Sequence, residues 1–509
     1  MYFSKRLILA YFLLIFKEDA FSQTSDFYKM ALSEKNSGNW QSALVYANQA
    51  LEGNKTNTDA LLLSALCKYQ LKDFRAAIIT LDDVVLLNKN LAEAYKIRGS
   101  AKYELGLYSE AINDFNTTIG LDNKFTLAYF ERGMAYLKLK DYNAAIKDFD
   151  QTIAMDANYV DAYRNRGVTL SEMGNKKAAI IDYNKAISIN PKDENSYYNR
   201  AVAQGDLCYH KEALEDYNQA IKLNSKYEQA YYNRGLTYMD LKNMDMAVAD
   251  FTKSLELNPR SANCYTLRAI AKTYQGMHQE AIADYTMALK IEPKNIQFLM
   301  LSATEKSEYG DKKSAITDFN RIIEIDARHE QAYFLRAELK YNLADYKGAL
   351  EDYNKVLQIN QTQEKALLGR GKAKLNLNDY ESAMKDFNAA IQIAPENADV
   401  YFNRAVLNHT MKKYDEALTD YAKVLALNAS DVNVNYNRAL VYFDTEHYFE
   451  AEQDLHKAIE MNPNLAPAYY KLGLCKTYSS NGTESCEQFK KALELGYYAA
   501  EEQVEKYCK

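Results

Sequence analysis

The chain has 509 residues, with 62 lysines and arginines against 69 aspartates and glutamates and a formal charge of −7. That balance, without a basic stripe, excludes the electrostatic footprint of a nucleic-acid binder. Only 18 glycines and 6 prolines occur, and no Gly-, Ser- or Pro-rich linker interrupts the chain, so one continuous array is expected where the length alone would suggest several domains.

Residues 1–22 stand apart. Lys5 and Arg6 precede the apolar run Leu7 to Phe16, and Ala20 and Ser22 place small side chains just before a cut at Gln23. This is the pattern of a secretory signal peptide; a short anchor helix that stays attached is the alternative. The run is too short to span a bilayer. The AFSQ ending resembles that of exported proteins of Gram-negative bacteria, the Bacteroidetes in particular. A periplasmic or secreted location is therefore expected, and no later apolar run reaches membrane length.

From residue 24 to residue 499 one frame recurs every 34 residues without insertion or deletion, giving fourteen windows from 24–57 and 58–91 to 466–499. A period of this length means a solenoid. Window 228–261 shows it in full, with Tyr231 fourth, Gly235 eighth, Tyr238 eleventh, Ala247 twentieth, Phe251 twenty-fourth and Pro259 thirty-second. The apolar positions form two groups at helical spacing, separated by a polar turn. Each window is expected to be two antiparallel helices whose apolar stripes are covered only by the next window. The small eighth and twentieth residues let the paired helices approach. Windows 24–57 and 58–91 keep Ala31, Ala43, Ala65 and Ala77 but lose the polar signature, so they read as an N-terminal cap.

Two charged ladders begin at residue 92. The seventh position is arginine from Arg98 to Arg268 in six consecutive windows and from Arg336 to Arg438 in four more. Every window with the arginine has aspartate at the twenty-third position, as in Arg166 and Asp182. A guanidinium fork suits a carboxylate. Pairing is expected within a window or across to the next, with exposed pairs contributing about 0–1 kcal/mol each.

The frame carried by Tyr231, Gly235, Tyr238, Ala247, Phe251 and Pro259 resembles the tetratricopeptide repeat family, and the resemblance covers nearly the whole chain after residue 23. It implies an all-α fold, a right-handed superhelical solenoid of helix-turn-helix repeats with a concave inner groove. It also implies that the sixth position of each repeat faces that groove. Asparagine stands there as Asn165, Asn199, Asn233, Asn403 and Asn437. This is similar to the asparagine ladder in the repeat region of O-linked N-acetylglucosamine transferase, which grips the backbone of an extended peptide. A carboxamide offers one donor side and one acceptor, matching a peptide unit. Tyr198, Tyr232, Phe402 and Tyr436 at the fifth position would add apolar contacts to the ligand. The plainer alternative is that the asparagines decorate a solvated helix face. The family's clamp for acidic C-terminal tails needs lysine fifth and asparagine ninth; here Lys96 is followed by Ser100, which argues against it.

Repeat nine, 296–329, is irregular. Leu299 replaces the usual tyrosine, Ser302 interrupts the arginines, and Glu305 falls where small or apolar residues are usual, a departure that reads as drift. Residues 500–509 read as a capping helix. Cys475, Cys486 and Cys508 cluster at this end, and Cys486 with Cys508 is the expected disulfide in an oxidising compartment, set against no bridge at all. No phosphate loop, nucleophile elbow or metal-binding set occurs, and the repeats leave no room for a catalytic domain, so no enzyme activity, cofactor or metal is expected. The reading is an exported, non-enzymatic scaffold that binds an extended peptide or partner protein in the groove. Its alternative is a structural subunit of a cell-envelope assembly, engaged through the convex face or the ends.

Overall fold

The computed structural model describes residues 25–428, 432–479 and 482–508. The predicted leader at 1–22 lies outside these residues. Every regular element among the described residues is a helix. The helices come in antiparallel pairs such as Ala92–Glu104 with Tyr108–Leu121 and Thr126–Lys138 with Tyr142–Met155. The chain is thus an all-α solenoid of helix-turn-helix pairs. It divides into two compact units, 1–259 and 260–509, with the boundary at Pro259.

The turn inside each pair has a physical cause. The fifteenth residue adopts a left-handed conformation that ends the first helix, as at Gly310 with φ 97°, where a side chain would be strained. One residue later an acidic or amide side chain often caps the second helix. Asp141 accepts from the Ala144 N–H at 3.2 Å and Asp345 from the Gly348 N–H at 3.0 Å.

In the first unit each first helix also touches the first helix of the next pair, from Thr58–Gln70 through Glu228–Asp240. The second helices approach one another less closely. The first-helix face is therefore the inner curve of this unit.

The core is organised by the eighth and twenty-fourth positions. A Cβ added at Gly371 would lie 2.5 Å from Cε1 of Phe387, a ring with no exposed surface. Glycine eight mostly faces phenylalanine, as in Gly99 with Phe115 and Gly473 with Phe489, although Gly167 faces Tyr183. Gly371→Val is expected to lower stability by about 1–3 kcal/mol through overpacking. Gly120→Ala, where nothing lies within 4 Å, serves as the control and is expected to be neutral or stabilising by up to about 1 kcal/mol. Urea midpoints that fall equally for both variants would contradict the packing argument.

The charged ladders tie the stack together in a way that the frame alone does not show. Arg166 donates from Nε and Nη2 to Asp182 at 2.8 and 2.6 Å, within its own repeat. Its Nη1 reaches Asp150 of the preceding repeat at 2.5 Å, and its guanidinium lies over the Tyr163 ring at 5.6 Å. Arg98, Arg132, Arg200 and Arg234 repeat the scheme in the first unit, and Arg336 and Arg404 in the second, while Arg370 makes the same three bonds with Leu367 in place of the tyrosine. The third partner is always the twenty-fifth residue of the previous repeat, an aspartate or asparagine. The expectation of weak, exposed pairs is corrected here: the Asp182 side chain is only 5% exposed, because the inter-repeat contact closes over it.

Repeat nine keeps this geometry with other residues. Asp318 accepts from Ser302 Oγ at 2.7 Å and pairs with Lys306 at 2.5 Å. Glu305 is buried, accepts from Thr273 Oγ1 at 2.6 Å, and lies 2.8 Å from His278 Nδ1. Its carboxylate is a built part of the contact between repeats eight and nine, not drift.

Candidate functional site

The first-helix face carries the predicted asparagines. Asn165, Asn199 and Asn233 stand on three successive first helices of the first unit, Val160–Glu172, Glu194–Asp206 and Glu228–Asp240. Asn403 and Asn437 stand on Ala398–Thr410 and Val432–Asp444 of the second. All five are partly exposed.

Their hydrogen bonds differ. Asn165 Nδ2 donates to the Asp161 carbonyl one turn back at 2.8 Å. Asn403 and Asn437 do the same to Asp399 and Asn433, each at 2.7 Å. This bond orients the carboxamide along its own helix. It uses one of the two N–H groups. No donor among the described residues reaches Oδ1 of these three asparagines. Asn233 is different: its Nδ2 donates to the Tyr198 hydroxyl of the preceding repeat at 2.8 Å. Asn199 makes no side-chain bond among the described residues.

The fifth-position aromatics are drawn toward the core. Tyr198 lies 4.9 Å from the Tyr227 ring and 6.1 Å from Tyr217. Burial raises its phenol pKa, and the bond from Asn233 partly offsets this. Tyr232 meets Phe251 edge-on at 6.1 Å, and Phe402 meets Tyr421 edge-on at 5.9 Å. Tyr436 packs against the core of repeat thirteen, and burial raises its phenol pKa as well. These rings form the seam between the paired helices and show only part of their surface on the inner face. In repeat eleven the sixth position is Gly369, where a Cβ would lie 2.4 Å from Cζ of Tyr353. The glycine makes room for the Tyr353 hydroxyl to donate to Glu338.

Sequence reasoning missed two features of this face. The first is the twenty-fifth-position partner of most of the arginines, whose usual trace is an Asp-aromatic-Asn or Asp-aromatic-Asp triplet, as in Asp216–Tyr217–Asn218. The second is a pocket of about 150 Å³ between repeats two, three and four, lined by Tyr69, Tyr103, Phe130, Met134, Ser100, Glu104 and Glu131. Nothing in the frame marks it, because its residues come from three windows, Tyr69 and Tyr103 at the twelfth position, Ser100 and Met134 at the ninth, and the others at the fifth, sixth and thirteenth.

At the C-terminal end, Glu501–Tyr507 packs on the second helix of the last pair, Gly482–Glu494. Tyr507 stacks on Phe489 at 6.0 Å, and a disulfide joins Cys486 to Cys508 with Cα atoms 5.1 Å apart. Cys475 lies buried in the core between repeats thirteen and fourteen, and burial pushes its thiol up to about 12. Among the described residues no cluster of three His, Cys, Asp or Glu side chains could hold a metal ion, and no helix is long and apolar enough to cross a membrane.

Comparison with known proteins gives the following. Family profiles described as tetratricopeptide repeat match residues 126–159, 160–193, 228–261, 330–363, 398–431 and 432–465. One described as TPR repeat matches 210–242 and 371–412, and one described as anaphase-promoting complex, cyclosome, subunit 3 matches 36–118. No curated protein sequence matches the chain. Among solved structures, a tetratricopeptide repeat protein from Parabacteroides merdae is 25% identical with a TM-score of 0.39, covering 49% of this chain and 98% of that one. The Cut9–Hcn1 hetero-tetramer of the APC/C aligns at 15% identity and a TM-score of 0.37, over 89% of this chain and 96% of that one. Yeast Tom70 aligns at 16% identity and a TM-score of 0.36, over 82% and 95%.

Proposed function

The chain belongs to the tetratricopeptide repeat family, a fold of protein-interaction scaffolds, and from that premise we propose that it is exported and binds an extended peptide segment of a partner on its first-helix face. The observation that carries this reading is the set Asn165, Asn199 and Asn233 on three consecutive helices, partly exposed on the inner curve of the first unit. Asn165 is oriented by a bond to its own helix with its carbonyl oxygen open, and Asn199 is open on both sides. Asn233 is braced by Tyr198, which leaves it one N–H and its oxygen. Carboxamides on neighbouring helices, roughly 8–10 Å apart, suit about every third peptide unit of an extended chain. Export is supported by the leader pattern before Gln23 and by the Cys486–Cys508 pair, which an oxidising compartment would keep closed.

Changing Asn165, Asn199 and Asn233 together to alanine is expected to weaken partner binding at least tenfold, since each neutral hydrogen bond contributes about 0.5–1.5 kcal/mol. Helix content should be unchanged. The measurement is a crosslinking pull-down from envelope fractions with the chain from Gln23 onward, wild type against triple variant. Partners retained equally would exclude the asparagine face.

The second reading, an envelope subunit held through its second-helix face, is favoured by one observation. Val45, Ile79 and Leu86 are 48%, 67% and 74% exposed on the second helices of repeats one and two. Retention of all partners by the triple variant, with loss on Ile79→Lys, would select it.

A further inference from the structure

The pocket between repeats two, three and four has a chemistry of its own. Its walls are aromatic and apolar: Tyr69 from Thr58–Gln70, Tyr103 from Ala92–Glu104, and Phe130 and Met134 from Thr126–Lys138. Its volume of about 150 Å³ lies well below the roughly 300–1,000 Å³ of small-molecule sites. That space suits a single long side chain.

Its polar groups are acidic. Glu131 is held in place, receiving the Ser100 hydroxyl and lying 3.1 Å from Lys96 Nζ, so its charge already has a partner. Glu104 stands exposed at the rim and makes no ion pair among the described residues. The pocket therefore carries one negative charge in excess. The rings register this field. Burial, then Glu131 and Glu104, push the Tyr69 phenol up to about 12. Burial, Tyr108, Glu104 and Glu131 raise the Tyr103 phenol as well. Aromatic faces attract a cation within about 6 Å, more strongly when it is partly desolvated. A carboxylate-bearing side chain would meet Glu104 and Glu131 and be repelled. A phosphate would be repelled more strongly still.

We propose that this pocket takes the side chain of a lysine or arginine from a bound peptide, with its stem between Tyr69, Tyr103 and Phe130 and its charged head at Glu104. The inference rests on the reading of the first-helix face as the peptide-binding face, and it adds a chemical preference that backbone-gripping asparagines cannot supply. The stem accounts for the apolar walls, and the head for the excess charge. The partner would be a protein segment with a basic residue, placed so that its flanking backbone continues toward Asn165.

Met134 provides the test, because it lines the pocket and carries a methyl group. The full chain is labelled with 13C-methyl methionine, and the Met134 resonance is identified by its absence in Met134→Leu. Three pentapeptides, Gly-Ser-X-Ser-Gly with blocked ends, are titrated up to about 10 mM, with X as arginine, norleucine or glutamate. The arginine peptide is expected to shift the Met134 resonance with an affinity at least fivefold above that of norleucine. The glutamate peptide is expected to leave it in place. Glu104→Gln should remove most of the preference for arginine, and so should 1 M salt. Equal shifts with arginine and norleucine, or an arginine preference unchanged in Glu104→Gln, would overturn the proposal, as would a Met134 resonance that no peptide moves. The outcome separates from that of the asparagine face. A silent pocket together with partners lost in the triple asparagine variant removes this inference alone. An arginine-selective pocket with partners retained in that variant upholds it and removes the asparagine ladder.

Discussion

Arg132→Met is expected to destabilise the chain by roughly 3–5 kcal/mol, among the largest effects of any single substitution on the ladders. The Asp148 side chain is 4% exposed and depends on Arg132 Nε at 2.8 Å and Nη2 at 2.6 Å. Methionine keeps most of the volume but leaves the carboxylate buried without a cation. The eleventh residue of this repeat is Tyr136, so no lysine stands by. In repeat ten, by contrast, Lys340 lies 2.8 Å from Asp352, and Arg336→Met should cost less than Arg132→Met. Removing both partners, as Arg132→Met with Asp148→Leu, should recover most of the loss, because the desolvation cost of both charges then disappears as well. Urea unfolding followed by circular dichroism measures the sum. Amide exchange in Thr126–Lys138 and Tyr142–Met155 measures the local part, which matters because a repeat array need not unfold in one step. A cost below about 1 kcal/mol for Arg132→Met would return these pairs to the class of solvated surface bridges.

Opening the Cys486–Cys508 disulfide is the second large effect expected. The bridge spans 22 residues, and closing a loop of that size stabilises by about 3 kcal/mol in the chain-entropy account. The helix it holds, Glu501–Tyr507, has 7 residues, too few to persist without packing. Reduction or Cys508→Ser should therefore loosen this helix, release Tyr507 from Phe489, and expose the second helix of the last pair to proteolysis. The repeats before it should keep their protection, since each contacts only its neighbours. Cys475 is a poor substitute partner: its buried thiol, pushed up to about 12, supplies little thiolate for exchange. Limited proteolysis with and without reductant reads the outcome. Identical cleavage in both states would show that packing alone secures the cap.

Much of the fold was legible before any coordinates. The 34-residue frame marks both helices of each pair, because a helix buried on one side must repeat its apolar residues at helical spacing. The small eighth residue announces a close contact, and the structure identifies its neighbour as the twenty-fourth-position ring. Arginine and aspartate at matched positions announce pairing. The choice between pairing within a repeat and across repeats stayed open on spacing alone; the structure pairs arginine and aspartate within the repeat, and the third donor goes to the twenty-fifth residue of the previous repeat. The site was less legible. Asn233 and Asn165 hold the same place in the frame, yet one donates to Tyr198 of the neighbouring repeat and the other to its own helix.

By itself the sequence determined what depends on neighbours within one repeat: the helix pairs, the polar turn between them, and the residues that face inward. Local hydrogen bonding and amphipathic spacing decide these. Only the tertiary structure decided what depends on the offset between one repeat and the next. It buried the aspartates, drew Glu305 into a contact with His278 and Thr273, and brought Tyr69, Tyr103 and Phe130 around a single pocket. The physical reason is that stacking brings together residues about 30 positions apart, where desolvation and approach distance set the energies, and a one-dimensional period carries no record of either.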